Sequence, residues 1–150
     1  MKYLTSNGQK KLMEELAYLT KEKRVDIARE LKIAVDYGDL RENSEYDAVC
    51  DEFQIVESRI YEIEHILSEC SVYSMKNDGT VEIGSKVSLL IDDEIEIYEI
   101  VGINESDILS NKISYESIIG KSILGKRVND TVDVDEVNLY NVKIVEINLN

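Results

Sequence analysis

The chain of 150 residues contains no proline. The commonest helix stop is therefore missing, and punctuation falls to glycine and asparagine. There is no run of about 18 apolar residues, which excludes a membrane-spanning helix, and the stretch Met1 to Gly8 lacks the apolar core of a secretory signal peptide. Cysteine is scarce. Cys50 and Cys70 stand alone, without the spacing of a thiolate metal site or a redox pair, and predict reduced thiols in a cytoplasmic protein. Basic side chains are outnumbered, 17 against 31 acidic, for a net charge of -14. The imbalance is 10 to 16 in residues 1–75 and 7 to 15 in residues 76–150, so it is not confined to an acidic tail. Unassisted binding to duplex DNA requires phosphates to be neutralised by Lys and Arg, so strong binding to free DNA is not expected. A protein partner with a positive surface fits better. No internal repeat or low-complexity segment is present. A hydrophobic fraction of 43% allows a buried core, in one ordinary domain or two small ones.

What is present is periodicity. Thr5 or Ser6 can cap a first helix, and Ser6 with Gln9 fits a capping box. From there to about Asp36, Leu12, Leu16, Leu19, Ile27, Leu31 and Ala34 recur at mostly three- and four-residue steps, with Lys23 interrupting the seam. Gly38 lies just past the last periodic residue and suits a helix stop. A second helix follows, in which Tyr46, Val49, Phe53, Val56, Ile60, Ile63, Leu67 and Cys70 alternate steps of three and four without a miss. That is a coiled-coil seam over about four heptads. Two such helices joined by a short turn fold back antiparallel. With roughly 30 residues each at about 1.5 Å of rise, the hairpin would measure on the order of 45 Å.

Beyond a possible hinge at residues 74–79 the period changes. Val81 to Ile91 and Glu94 to Ile103 read as strands joined at Asp92-Asp93, and the alternation in Glu94 to Ile100 predicts one buried and one solvated face. Ser114 to Leu124 reads as a short helix with Ile118, Ile119 and Ile123 inward, and Thr131 to Val134 and Asn138 to Ile147 read as further strands. The expected fold class is α+β in two domains: an antiparallel helical hairpin over 1–75 and a sheet with one helix over 80–150.

The polar turn between the helices, residues 38–46, concentrates acids. Asp39 and Glu42 are spaced to lie on one side of a tight turn or helix start. Taken alone, that spacing reads first as a capping pattern favoured by the helix dipole, and the two uses are compatible. Leu40 reads as a packing residue and Tyr46 as the opening of the seam. Asn43 and Ser44 are either contacts for a partner or caps of the second helix. His65 reads as a solvated helix residue. Lys21, Lys23, Arg24, Arg29 and Lys32 form either a basic stripe or a solvated face paired with neighbouring acids.

The chain resembles bacterial transcript-cleavage factors of the Gre family over nearly its whole length. Leu4-Thr5 with Gly8 and Leu12 resembles the family's opening pattern, and Gly38-Asp39-Leu40 followed by Glu42-Asn43 and Glu45-Tyr46 resembles its hairpin tip. Gly84-Ser85-Lys86-Val87, Tyr98-Glu99-Ile100-Val101-Gly102 and Leu124-Gly125-Lys126 resemble its later landmarks. The resemblance implies a coiled-coil domain followed by a domain similar in fold to FK506-binding proteins. It implies a monomer that docks at the secondary channel of bacterial RNA polymerase and stimulates cleavage of the backtracked RNA 3′ end. Asp39 and Glu42 are the residues it carries over as functional, sharing a second Mg²⁺ with the polymerase. That ion is not expected in the isolated protein, which would be an accessory and not itself a nuclease. Gly38, Leu40, Asn43, Ser44 and Tyr46 would support the tip.

Val35 stands where the family usually carries an Arg that grips extruded RNA, which predicts cleavage restricted to short backtracks. Two family prolines are also missing, near Tyr115 and Val137. The competing readings are a channel-blocking inhibitor on the same frame, which need not keep the Asp-x-x-Glu spacing, and an acidic coiled-coil adaptor, which gives no reason for the tip.

Overall fold

The computed structural model describes residues 1–38, 43–134 and 140–149. The expected α+β architecture is the one observed: a long helix hairpin, then a mixed sheet with a short helix. The chain divides into two compact units, one made of Lys10–Glu69 and the other of Met1–Gln9 with Cys70–Asn150.

In the helical unit, α1 (Ser6–Tyr18) passes through a π-helical turn (Leu19–Lys23) into α2 (Arg24–Asp36), and α3 (Ser44–Glu69) returns. The π turn explains the break in the first seam. From Leu19 to Ile27 the step is eight residues, one more than a heptad, and a π turn absorbs one extra residue. The Thr20 hydroxyl donates to the Leu16 carbonyl at 2.7 Å inside this stretch. Leu19 and Ile27 thus both face Val56, Ile60 and Ile63 of α3, with Leu12, Leu16, Val49 and Leu67 packed around them. The antiparallel run is marked by cross-links at steadily opposed positions. Arg59 makes a two-pronged pair with Glu15 at 2.7 and 2.9 Å, Arg24 does the same with Glu57 at 2.7 and 2.9 Å, and Lys23 pairs with Glu52. Two members of the supposed basic stripe, Lys23 and Arg24, are therefore neutralised by α3, and a third, Arg29, pairs with Asp26. Two seam assignments fail. Phe53 is 44% exposed, and Cys70 lies past the end of α3 in a strand.

In the second unit, β1 (Lys2–Leu4) and β2 (Cys70–Val72) form a parallel pair with Leu4 opposite Val72. The main sheet has five strands in the order β5-β4-β3-β7-β6, where β3 is Ser85–Ile91, β4 Glu94–Val101, β5 Lys112–Ser114, β6 Thr131–Val134 and β7 Tyr140–Leu149. All pairs are antiparallel except β4 with β5. The β3–β4 hairpin turns at Asp92 and Asp93, both with positive φ (50° and 66°), the geometry of the tight turns that match strand twist. Helix α4 (Ile118–Ile123) covers the sheet by inserting Ile123 among Val87, Leu89, Ile100, Val134, Val142 and Ile144. Ser117 caps it by accepting the Gly120 N–H at 3.0 Å.

Several expectations are corrected here. Val81 to Gly84 is not strand. Ile118 is 61% exposed, because the helix is only six residues long and turns just one side inward. The outer half of β4 has no buried face, since Ile95 and Ile97 are 62% and 48% exposed. The first helix is capped by Thr5, not Ser6, and Gln9 does not complete the box. The Thr5 hydroxyl oxygen accepts the Gly8 N–H at 2.9 Å, and the reciprocal carboxylate comes from Glu105, whose Oε2 accepts the Thr5 N–H at 2.8 Å.

Candidate functional site at the hairpin tip

The tip is built where α2 stops and α3 starts. Tyr37 ends α2 with its N–H donating to the Ala34 carbonyl, and the next N–H, that of Gly38, reaches Val35, both at 3.3 Å. Gly38 then takes φ +117°, a conformation that side chains rarely adopt and that turns the chain out of the helix. The return is set by Asn43. Its Oδ1 accepts the Tyr46 N–H at 3.1 Å, the N-terminal cap of α3, while its Nδ2 donates to the Ala34 carbonyl at 2.8 Å. One side chain therefore bonds a last-turn carbonyl of one helix and caps the start of the other. Ala34 is 2% exposed, so the clasp is closed against solvent at its base.

Between Gly38 and Asn43 lie Asp39, Leu40, Arg41 and Glu42, and these lie outside the described residues. The two residues expected to carry the chemistry are thus in the segment whose ends the clasp holds. Asn43 adopts the capping role. Ser44 is exposed as the first residue of α3, and Tyr46 is half-buried. The Tyr46 hydroxyl is pushed above its ordinary value, first by hydrogen bonding with the Cys50 thiol one turn along. His65 is a surface residue, stacked on Tyr61 at 6.2 Å and 3.5 Å from Glu69.

The described surroundings of the tip are acidic. Glu45 and Asp47 occupy the first turn of α3, where the helix dipole favours them. Asp36 is exposed in the last turn of α2. Among the described residues no group of three His, Cys, Asp or Glu side chains is placed to hold a metal ion. Hard carboxylate oxygens are the donor type that Mg²⁺ takes, and it keeps several of its waters. Two carboxylates alone would hold the ion weakly unless further oxygens come from elsewhere. The feature that spacing alone left open was the bridge by Asn43: an Asn three residues before Tyr46 signals the cap, but nothing local reports its bond to Ala34.

A family model described as "Transcription elongation factor, N-terminal" matches residues 2–72, and one described as "Transcription elongation factor, GreA/GreB, C-term" matches residues 76–149. The chain is 42% identical to the transcription elongation factor GreA of Clostridium acetobutylicum, covering 95% of both chains. It is likewise 42% identical to that of Staphylococcus epidermidis, over 96% of this chain and 94% of the relative. Among solved structures, GreA factor homolog 1 of Thermus thermophilus aligns over 97% of both chains at 27% identity with a TM-score of 0.45.

Proposed function

The chain belongs to the GreA/GreB transcription elongation factor family, and we propose that its hairpin tip works inside RNA polymerase, where Asp39 and Glu42 help hold a catalytic Mg²⁺. The protein is a transcription elongation factor that stimulates transcript cleavage. It is an accessory and not a catalyst: the hydrolysis is the polymerase's own.

On this reading the second unit docks at the entrance of the secondary channel and the hairpin enters it, toward the RNA 3′ end extruded by backtracking. When bound, the shared Mg²⁺ would supply activation of the attacking water or stabilisation of the leaving oxygen in a two-metal hydrolysis. The residues of this chain have two tasks. Asp39 and Glu42 present hard oxygen donors at a spacing of three. Gly38 and Asn43 hold the helix ends on either side of them. The factor acts as a monomer in the cytoplasm. No helix among the described residues is long and apolar enough to cross a membrane.

The observation that carries the reading is the clasp, in which Asn43 joins the Ala34 carbonyl to the first turn of α3. It ties the end of α2 to the start of α3 directly beside residues 39–42, which suits carboxylates that must be delivered at a set position. Val35 remains in place of a basic side chain, so RNA grip is weak and short backtracks are the substrate.

The test uses stalled, backtracked elongation complexes of the cognate polymerase. Wild type should release short 3′ fragments, and Asp39→Asn with Glu42→Gln should bind the polymerase equally well and release none. If the double variant cleaves as wild type does, the carboxylate reading is wrong. If neither protein cleaves yet both slow elongation, the chain is a channel-blocking inhibitor.

A further inference from the structure

One cavity in the sheet-bearing unit has features that the elongation role leaves unused. It measures about 270 Å³ and is walled by Tyr3, Tyr73 and Tyr115, with Val81, Ile83 and Glu82 also lining it. Tyr3 stands between the other two rings, 5.6 Å from Tyr73 at 89° and 6.3 Å from Tyr115 at 65°. These edge-to-face contacts fix the ring planes. Glu82 is 4% exposed. Its Oε2 accepts the Lys76 N–H at 2.7 Å, whereas its Oε1 is buried and accepts from no donor among the described residues. A buried carboxylate with one oxygen left over is costly until a cation or a donor reaches it. Burial, then the Glu82 charge and hydrogen bonding with its carboxylate, pushes the Tyr73 phenol above its ordinary value; Glu82 Oε1 itself still has no donor within hydrogen-bond distance among the described residues. The formal negative charges of the lining belong to Glu82 and, at the exposed side, Asp78.

We propose that this cavity is a binding site for a guanidinium or alkylammonium head group, which lies against the tyrosine rings and donates to Glu82. Each feature selects for that class. Ring faces attract cations, and a carboxylate accepts its strongest hydrogen bonds from charged donors. Anions are repelled by Glu82, and neutral groups leave its charge uncompensated. The volume is slightly below the range usual for drug-sized ligands, which suits a head group on a short stem. Two sources share this chemistry: a free organic cation and an Arg or Lys side chain presented by another protein.

The experiment follows the tyrosine ring resonances of the full-length chain while butylguanidinium is added, with butylurea as the neutral isostere. Saturable shifts confined to Tyr3, Tyr73 and Tyr115 are expected for the cation and none for the urea. Glu82→Gln should weaken binding about tenfold or more, the scale of a lost hydrogen bond to a charged group. Tyr3→Leu should weaken it about fivefold, the scale of one ring face. Lys76→Ala keeps the backbone N–H on Glu82 and removes the ammonium at the rim, so it should tighten binding; this variant keeps the test valid if Glu82→Gln fails to fold. A capped Gly-Arg-Gly peptide then separates the sources: binding as tight as butylguanidinium identifies a protein side chain, and exclusion identifies a free cation. No saturable shift at tens of millimolar (affinities weaker than about 2–3 kcal/mol), equal binding by butylurea, or loss of binding in Lys76→Ala overturns the proposal.

Discussion

Replacing Gly8 by alanine tests the arrangement that starts the first helix. In a usual capping box the N-cap hydroxyl accepts the N–H three residues on, and the side chain at that third position returns to the N-cap N–H. Here the third position is Gly8, and the returning carboxylate belongs to Glu105, one hundred residues away. A Cβ on Gly8 would sit 1.8 Å from Glu105 Oε1 and 2.2 Å from its Cδ. Alanine must therefore evict the carboxylate, which bonds the Thr5 N–H at 2.8 Å, the Thr5 hydroxyl, and the Gly102 N–H at 3.1 Å. Thr5 is 8% exposed, so its N–H loses a partner that water replaces poorly. An unsatisfied buried donor costs about 1–3 kcal/mol, and a lost cap costs roughly 1 kcal/mol. Alanine returns up to about 1 kcal/mol of helix propensity. The expected net loss for Gly8→Ala is about 2 kcal/mol.

The decisive measurement is a double-mutant cycle with Glu105→Ala, read by urea denaturation of the full chain. Glu105→Ala alone should cost about as much as the eviction, roughly 2–3 kcal/mol. In that background the clash is gone, so Gly8→Ala should become neutral or stabilise by up to about 1 kcal/mol. A change of sign between the two backgrounds is the signature. If Gly8→Ala costs the same with and without Glu105, the trans cap is not what requires glycine, and the argument fails.

Asn43→Ala should destabilise the hairpin by about 1–2 kcal/mol, the cost of a lost N-cap, and Asn43→Asp should fall between, because it keeps the acceptor for Tyr46 and loses the donor to Ala34; urea titration of the three proteins checks the order. The Glu15 carboxyl is held below its ordinary value, chiefly by its hydrogen bonds from Arg59. Its contribution is thus complete above the ordinary carboxylate range and is lost as pH falls through the lower folded value, so the difference in Tm between wild type and Glu15→Gln should shrink from about pH 7 to about pH 3. Both partners are more than a third exposed, so the difference should be small and should shrink further in high salt.

The parts of the fold legible beforehand are those written in short-range periodicity. The unbroken three-four alternation of α3 located a two-helix hairpin, and Asp92-Asp93 between two apolar runs located the β3–β4 turn. At the tip, the stop at Gly38 and the capping role open to Asn43 were legible, while Asp39 and Glu42 lie outside the described residues. Other features depend on contacts between distant residues. The β1–β2 pair joins residues about 68 apart, and three-residue strands carry too little pattern to announce themselves. The Glu105 cap displaced a plausible local one, Ser6 with Gln9, because a partly buried carboxylate with three donors outweighs a box open to solvent. The π turn was visible only as a misstep at Lys23. Ile95 and Ile97 alternate correctly, yet no element among the described residues covers the outer half of their strand.

Charge along the hairpin bears on how its tip would meet a cation. Along the shaft, Glu15, Glu52, Glu57 and Glu62 each pair with an Arg or Lys. Toward the tip the bases run out: residues 33–47 contain five acids and one base, Arg41. Among the described residues there, Asp36, Glu45 and Asp47 make no ion pair. The fold joins α2 to α3 at this end with a neutral amide, Asn43, where the shaft uses salt bridges. A basic clasp would have joined the helix ends as well, but it would also have neutralised part of the negative field there. Unpaired acids that repel one another raise the gain from any cation delivered among them. On the proposed reading, a tip held by an amide would keep that gain for an ion met in the polymerase, and the same repulsion would disfavour an extruded RNA backbone. Tight RNA grip and a cation-seeking tip are opposed requirements on that reading, and Val35 among these acids favours the cation.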